Sequence, residues 1–185
     1  MQADLDHLRS LAQALARVKH TGQVRKGPAA EPYFNHVSRV ANRAFVYATE
    51  AGLGLNLALR ARIVAYLHDL LEDTNMTAAD LRRVGFDWTT VDDVVALSRE
   101  EYRSPHAFMP ASENYFDFIE RGTQDLSDEG LIVKLADLAD NLSDDWGGHS
   151  LRARYIKADL MVRAELKNRG VNVARMDNPH FLNVA

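Results

Sequence analysis

The sequence predicts an all-α fold, and three observations lead to that prediction. Apolar residues recur at three- and four-residue steps along most of the chain, which is the spacing of one helix face. No segment alternates apolar and polar residues as a half-buried strand does. Capping residues and glycines divide the apolar stripes into helix-sized pieces. The 185 residues, 46% of them hydrophobic, fit a single domain over residues 1–185 built as a helical bundle.

Apolar stripes and chain breakers define the first three helices. The first helix has one apolar face before Gly22, consisting of Leu5, Leu8, Leu11, Leu15 and Val18. A loop follows over 22–32, and Pro32 suits the first turn of the second helix because its missing N–H costs nothing there. The second helix runs towards Gly52, and a third is predicted over 56–72.

Capping signals mark the next two helices. Thr77 followed three residues later by Asp80 is a capping pattern, and Gly85 is a stop signal. Thr90 with Asp93 repeats the start signal before another apolar run. We therefore expect one helix to begin after Thr77 and the next to begin after Thr90.

The second half of the chain continues the helical pattern. Residues 99–112 hold few apolar positions and predict a loop, followed by a helix over 113–121. The next helix carries an apolar stripe of Leu131, Leu135, Leu138 and Leu142. Ser150 is predicted to cap a last long helix that ends at Gly170. The result is a bundle of about seven helices, with the loops at 22–32 and 99–112 as the expected functional segments.

Charge and composition argue against several classes of function. The net charge of −4 argues against broad nucleic-acid binding, which needs a basic face. The chain has no cysteine, which excludes a disulfide framework, a thiolate metal site and a cysteine nucleophile. The acidic N-terminus is no secretory signal, and no apolar run approaches the ~20 residues of a membrane span. We expect a soluble, cytoplasmic protein that binds neither nucleic acid nor membrane.

Four polar residues interrupt an apolar helix in the stretch AYLHDLLEDT, residues 65–74. Glu72 and Asp73 lie one helical turn after His68 and Asp69, so one imidazole and three carboxylates share neighbouring surface. Three nearby carboxylates repel one another, and a bound cation relieves that repulsion. The stretch equally fits an acidic helix end running into solvent. A metal site here therefore depends on partners elsewhere in the chain.

Two further residues supply such partners. His36 follows the start of the second helix, and Asp137 lies on an apolar helix face, where a carboxylate is costly to bury alone. Lys134, three residues before Asp137, fits a plain buried ion pair with it, which is the alternative. With His68 and Asp69, the set offers two nitrogen and two oxygen ligands. Such mixed ligation suits Mn, Fe, Co, Ni or Zn better than Ca.

These residues, taken in order, resemble the H…HD…D signature of the HD metal-dependent phosphohydrolase superfamily. The segments HTGQVRKGPAAEPYFNH (20–36), LHDLLEDT (67–74) and VKLADLADN (133–141) are similar to the three motifs of the RelA/SpoT hydrolase domain. The resemblance covers about residues 20–142 in the right order, and the chain length is similar to small alarmone hydrolases of the metazoan SpoT-homologue type. It implies an HD-domain helical bundle.

The resemblance also implies roles for individual residues. It implies one Mn²⁺, or another divalent transition metal, ligated by His36, His68, Asp69 and Asp137. Glu72 and Asp73 are implied as the catalytic pair that handles the attacking water, without a division into acid and base.

The substrate implied by the resemblance is a small nucleotide. Arg25 and Lys26 are implied to hold a guanine nucleotide, and Asn141 to contact it near the ribose. Without the resemblance, the Arg-Lys pair is typical of an ordinary solvated loop. The implied reaction is hydrolysis of (p)ppGpp at the 3′ position, which gives GDP or GTP and pyrophosphate.

Two residues depart from the family pattern and leave alternatives open. Leu138 stands where the family usually has Arg, and Asp140 stands where it usually has His. We expect these changes to remove cationic or donor groups near the site, with Asp140 adding negative charge. They motivate a second hypothesis, a phosphohydrolase of the same type acting on another nucleotide, as an NADPH phosphatase or a nucleotidase would. A third hypothesis is a nucleotide-binding domain without catalysis. The sequence leaves the oligomeric state open.

Overall fold

The computed structural model of the chain describes residues 2–26, 30–99, 114–143, 148–174 and 176. Within these ranges the regular structure is helical, and β-structure is limited to one isolated antiparallel bridge between Val24 and Pro32. The predicted all-α fold is therefore confirmed. No helix in the described part of the chain is long and apolar enough to cross a membrane.

The helices vary in length from a single turn to six turns. In chain order they are α1 (Gln2–Lys19), α2 (Tyr33–Glu50), α3 (Leu55–Leu67), α4 (Leu70–Asp73), α5 (Ala78–Val84), α6 (Trp88–Leu97), α7 (Tyr115–Asp125), α8 (Asp128–Ser143) and α9 (Gly148–Asn168).

The helix α8 occupies the centre of the bundle. It packs against α2, α3 and α9, while α2 and α1 each pack against α3. Nearly every side chain of α8 from Glu129 to Leu142 is buried, as expected of a helix surrounded by others. The polar residues Asp137 and Asp140 on this helix are therefore inside the protein and need partners there.

The apolar stripe of α1 packs largely as predicted. Its four leucines lie partly buried against the core, and Ala12 and Ala16 are fully buried. Val18 is 67% exposed, so its place in the stripe was wrongly predicted. The reason is geometric: two residues beyond Ala16 correspond to a rotation of about 200° around the helix axis, which points Val18 away from the core.

The capping signals around α5 are confirmed. The hydroxyl of Thr77 accepts a hydrogen bond from the backbone N–H of Asp80, and the Asp80 carboxylate accepts one from the backbone N–H of Thr77. The helix ends at Gly85, whose φ of +115° is in the region that favours glycine. Local sequence therefore determines both ends of α5.

The predicted start of α6 after Thr90 is wrong. The helix begins at Trp88, and the side chain of Asp87 accepts the backbone N–H of Thr90 at 2.8 Å. Asp93 lies buried within the helix and accepts two hydrogen bonds from Ser127, at 2.9 Å from its backbone nitrogen and 2.6 Å from its hydroxyl. A long-range contact therefore uses the acidic residue that the sequence pattern assigned to a cap.

The predicted continuous helix over 56–72 is interrupted. α3 ends at Leu67 and α4 begins at Leu70, with Asp69 between them at φ −97° and ψ 0°. The break turns the chain at His68 and Asp69. These two residues therefore do not stack on Glu72 and Asp73 along one straight helix, which was the expectation.

The remaining boundaries differ by a few residues from the sequence-based predictions. The helix predicted over 113–121 is α7, and it continues to Asp125. The last helix α9 begins at Gly148, so Ser150 lies in its first turn and the predicted cap at Ser150 is wrong. Most of the loop predicted over 99–112 lies outside the described residues.

Candidate metal centre and cavity

Four side chains from separate parts of the bundle meet at the predicted metal centre. His36 lies on α2, His68 and Asp69 lie at the break between α3 and α4, and Asp137 lies on α8. The Nε2 atom of His36 is 3.6 Å from both Oδ2 of Asp69 and Oδ1 of Asp137. The Nε2 atom of His68 is 3.0 and 3.9 Å from the same two oxygens. The structure thus brings two imidazole nitrogens face to face with two carboxylate oxygens.

The surroundings of His68 fit a bound cation. Its Nδ1 atom donates a hydrogen bond to the backbone oxygen of Ala65 at 2.7 Å, so the lone pair is on Nε2 in the neutral ring. That Nε2 atom is buried, has no hydrogen-bond partner and faces Asp69 and Asp137. A lone pair facing carboxylates is unfavourable unless a positive charge lies between them.

A proton takes the place of that positive charge when no cation is bound. Burial opposes protonation of His68, but the negative charges of Asp69 and Asp137 outweigh it and raise the pKa of His68 to about 9. Two neutral imidazoles with two carboxylates are a donor set that suits a divalent transition metal. The residues present therefore fit the metal that the sequence motifs imply.

Hydrogen bonds from neighbouring side chains orient both carboxylates. The hydroxyl of Tyr33 donates to Oδ2 of Asp69 at 2.7 Å, and the amide of Asn141 donates to Oδ1 of Asp137 at 2.6 Å. The ammonium group of Lys134 contacts the other oxygen of Asp137 at 3.1 Å. The ion pair that the sequence offered as an alternative to a metal site is therefore present, yet it leaves Oδ1 facing the two histidines.

The candidate ligands line an open cavity of about 760 Å³, a size typical of small-molecule sites. Its cationic lining residues in the described part of the chain are Arg25, Lys26, Arg99 and Lys134. Its aromatic lining residues there are Tyr33, Tyr115, Phe118 and Tyr155. Carboxylates, cations and aromatic rings in one cavity are the side chains that a metal, phosphates and a base require.

The two acidic residues predicted as the catalytic pair line the same cavity. The carboxylate of Glu72 accepts a hydrogen bond from the backbone N–H of Arg99 at 2.7 Å. Burial raises the pKa of both Glu72 and Asp73, and the negative charge of Asp69 raises it further. Both groups therefore hold a proton more readily than an exposed carboxylate, which suits them to proton transfer.

The residues predicted to bind substrate also line this cavity, and Arg25 is held more firmly than expected. Its side chain is 7% exposed and donates to Asp140 at 2.9 Å and to the side-chain oxygen of Asn141 at 2.7 Å. Lys26 is exposed. Arg25 is thus a fixed group facing the cavity, which differs from the ordinary solvated loop residue that the sequence alone favours.

The expectation that Asp140 adds negative charge to the site is wrong. Its carboxylate is fully buried and lies 2.9 Å from Arg25, 2.9 Å from Arg39, 3.4 Å from Arg43 and 2.8 Å from Nδ1 of His36. Burial opposes its ionisation, but the hydrogen bonds from His36 and Arg39 hold the pKa of Asp140 well below its usual range. Three guanidinium groups therefore surround the single carboxylate of Asp140.

The other departure from the family pattern, Leu138, lies in the hydrophobic core with no exposed surface. Neither Leu138 nor Asp140 is among the residues that line the cavity. Neither residue is therefore part of the surface that a substrate would contact, although Asp140 holds Arg25, which does line the cavity.

Arg39 and Arg43 are absent from the sequence-based predictions. They follow His36 by three and seven residues on α2, and this spacing places the three side chains on one helix face. That spacing is a signal that identifies them in retrospect. Glu31, in the loop before α2, forms an ion pair with Arg39 at 2.6 Å. The charged cluster around Asp140 therefore includes a residue of this loop.

Comparisons with known proteins agree with the motifs. No family model matches the chain. It is 33% identical over 129 residues to the guanosine-3′,5′-bis(diphosphate) 3′-pyrophosphohydrolase MESH1 of Drosophila melanogaster, over 70% of this chain and 64% of that protein. It is 30% identical over 141 residues to MESH1 of Xenopus tropicalis, over 72% of this chain and 66% of that protein. The chain thus spans slightly less than two thirds of the length of these relatives.

A solved structure shares the fold. It is described as a metazoan ortholog of SpoT that hydrolyses ppGpp and plays a role in starvation responses. The TM-score is 0.63 at 22% sequence identity, and the match covers 89% of this chain and 97% of that one. In sequence the chain is therefore similar to the two MESH1 pyrophosphohydrolases over slightly less than two thirds of their length, and its fold is that of the metazoan SpoT ortholog.

Proposed function

We propose that the chain is a metal-dependent (p)ppGpp 3′-pyrophosphohydrolase that releases GDP or GTP and pyrophosphate. One observation carries the proposal: a two-histidine, two-carboxylate set and four cationic side chains line one nucleotide-sized cavity. The activity printed for the two MESH1 relatives supports the same reaction. The proposal takes residues 1–185 as one domain and the cytoplasm as its location.

The proposed metal is Mn²⁺ or another divalent transition metal, held by His36, His68, Asp69 and Asp137. When bound, it would offset carboxylate charge and supply Lewis acidity towards the phosphoryl group and the attacking water. The histidines would contribute their Nε2 atoms, because hydrogen bonds to Ala65 and Asp140 occupy their Nδ1 atoms. This arrangement leaves the cavity side of the centre for substrate.

The cations of the cavity would bind the phosphates. Lys26 and Lys134 offer compact ammonium charges, and Arg25 offers a planar guanidinium whose orientation is fixed by two hydrogen bonds. A fixed guanidinium plane can also stack on a flat purine base. Asn141 lies between Arg25 and Asp137, which is consistent with a contact near the ribose.

Glu72 and Asp73 would move the protons of the reaction. One of them accepts a proton from the attacking water as a new P–O bond forms. A proton is then delivered to the leaving 3′ oxygen as the bond between that oxygen and phosphorus breaks. Their raised pKa values suit both steps, because a carboxyl group that binds a proton more tightly is a better base and can return the proton.

Product analysis with defined metal content tests the proposal. Protein stripped with chelator and reloaded with Mn²⁺ is incubated with ppGpp, and the products are separated by anion exchange. GDP and pyrophosphate in equal amounts, formed only by the reloaded protein, are the expected result. NADPH and nucleoside monophosphates serve as comparison substrates. Orthophosphate release from these, with ppGpp left intact by folded, metal-loaded protein, would reject the proposal.

A further inference from the structure

Asp140 is the most completely enclosed carboxylate next to the candidate metal centre. It has no exposed surface, and its Oδ2 atom accepts hydrogen bonds from Nδ1 of His36 at 2.8 Å and from Arg25 at 2.9 Å. Its Oδ1 atom accepts from Nε of Arg39 at 2.9 Å, with Arg43 at 3.4 Å. Both oxygens of one buried carboxylate are therefore used by groups from the loop before α2 and from α2 itself.

The contact with His36 determines which nitrogen of that ring is protonated. An ionised carboxylate only accepts hydrogen bonds, so the Nδ1 atom of His36 carries the hydrogen in this contact. The neutral ring then has its lone pair on Nε2, which faces Asp69 and Asp137 at 3.6 Å. The hydrogen bond also restricts rotation of the ring, because Asp140 is itself held from several directions.

We propose that Asp140 is a positioning residue of the metal centre, which fixes His36 as the Nδ1–H tautomer and aims its Nε2 atom at the metal. In proteins, a histidine that binds a metal commonly donates its other ring N–H to a carboxylate or carbonyl. His68 follows this rule through the backbone oxygen of Ala65. Asp140 is the corresponding acceptor for His36.

The arginines hold the Asp140 carboxylate in place without adding a ligand to the centre. Arg39 and Arg43 lie one and two turns beyond His36 on α2, and Glu31 holds the far side of Arg39 at 2.6 Å. Each of these contacts holds a carboxylate oxygen in place, so the oxygen that accepts from Nδ1 of His36 keeps its position. The arginines around Asp140 are therefore part of the arrangement that orients the His36 ring.

The inference rests on the proposed metal site and is independent of the substrate. Metal binding and the tautomer of His36 are measured without nucleotide. If ppGpp is not cleaved while these measurements come out as expected, the proposed function fails and the role of Asp140 remains.

The first measurement uses the wild-type protein loaded with Zn²⁺, a diamagnetic probe. Long-range ¹H–¹⁵N correlation spectra report the state of both ring nitrogens, and the signals of His36 are assigned by their loss in His36→Gln. The expected result is a protonated Nδ1 atom and a metal-bound Nε2 atom. A metal-bound Nδ1 atom, or a protonated Nε2 atom, would overturn the proposal without the need for any variant at Asp140.

The second measurement compares the metal affinities of two matched variants. Asp140→Asn keeps the shape of the side chain and removes its charge. Asp93→Asn does the same at a buried carboxylate that accepts from Ser127 and does not line the cavity. Titration calorimetry with Zn²⁺ and with Mn²⁺ should show about 10–100-fold weaker binding for Asp140→Asn. The dissociation constant of Asp93→Asn should equal that of the wild type.

Two outcomes of the affinity measurements would contradict the positioning role of Asp140. Equal affinity in wild type and folded Asp140→Asn would overturn the positioning role. Equal losses in both variants would also overturn it, because the effect would then be a general consequence of neutralising a buried carboxylate.

Discussion

Arg25 donates a hydrogen bond of 2.7 Å to the side-chain oxygen of Asn141, and the amide of Asn141 donates one of 2.6 Å to Asp137. The contact joins the loop before α2 to the central helix α8. It also places a cation of the cavity two hydrogen bonds away from a candidate metal ligand. The cation proposed to bind phosphate and the candidate metal centre are therefore parts of one connected arrangement.

This connection predicts that Arg25→Lys weakens substrate binding although the charge is retained. Lysine cannot contact Asp140 and Asn141 with two separate nitrogens as the guanidinium does. We expect KM for ppGpp to rise about 10–100-fold. Steady-state kinetics measure it, with Arg83→Lys, the same change at an exposed arginine that does not line the cavity, as the control. An unchanged KM in Arg25→Lys would contradict the role assigned to the fixed guanidinium.

Removal of the carboxylate charge at position 72 should reduce turnover and preserve metal binding. Glu72→Gln keeps a group that accepts the backbone N–H of Arg99 but cannot take a proton from water. We expect kcat to fall about 10²–10⁴-fold. Metal content, measured by atomic emission on the same preparation, should stay at the wild-type value. Full activity in this variant would exclude Glu72 from proton transfer.

Metal binding should stabilise the fold. A cation that binds the folded protein alone raises the unfolding free energy by about 2.7 kcal/mol when its concentration is 100 times the dissociation constant. Thermal unfolding of chelator-treated protein, before and after addition of Mn²⁺, should show a higher Tm with metal. His68→Gln removes one ligand and should abolish the increase. An equal increase in that variant would place the cation elsewhere.

Introducing at position 138 the arginine usual in the family should disrupt folding without improving activity. Leu138 is fully buried in the core, so Leu138→Arg places a guanidinium without a partner among apolar side chains. We expect a loss of about 2–5 kcal/mol in unfolding free energy, measured by urea denaturation. Leu138→Met should cost less than about 1.5 kcal/mol. A stable and more active Leu138→Arg protein would contradict the core position of this residue.

The sequence predicted the helices well wherever local chemistry decides them. Periodic leucines placed α1 and α8, and the Thr77 and Asp80 box with Gly85 bounded α5. The break at His68 and Asp69 was missed because an apolar helical pattern continues through it. Such a break depends on packing against other helices, which a local pattern does not contain.

At the site, the sequence predicted the candidate metal ligands but not the partners of Asp140. The candidate ligands were recognisable from residue type and order, and the structure places the Nε2 atom of each histidine within 4 Å of a carboxylate oxygen of Asp69 and of Asp137. The surroundings of Asp140 were not recognisable, because Arg25 and Arg39 reach it from more than 100 positions away in the chain. An acidic residue in a motif was therefore interpreted as added charge, although its guanidinium partners offset that charge.

Hydrolysis of ppGpp in ¹⁸O-labelled water tests the central claim most directly. The Mn²⁺-loaded protein should release pyrophosphate that carries one ¹⁸O atom and GDP that carries none, because water attacks phosphorus and the 3′ oxygen leaves with the nucleoside. Mass spectrometry of both products reads out the label. No turnover by folded, metal-loaded protein, or ¹⁸O found in GDP instead of pyrophosphate, would contradict a metal-dependent 3′-pyrophosphohydrolase.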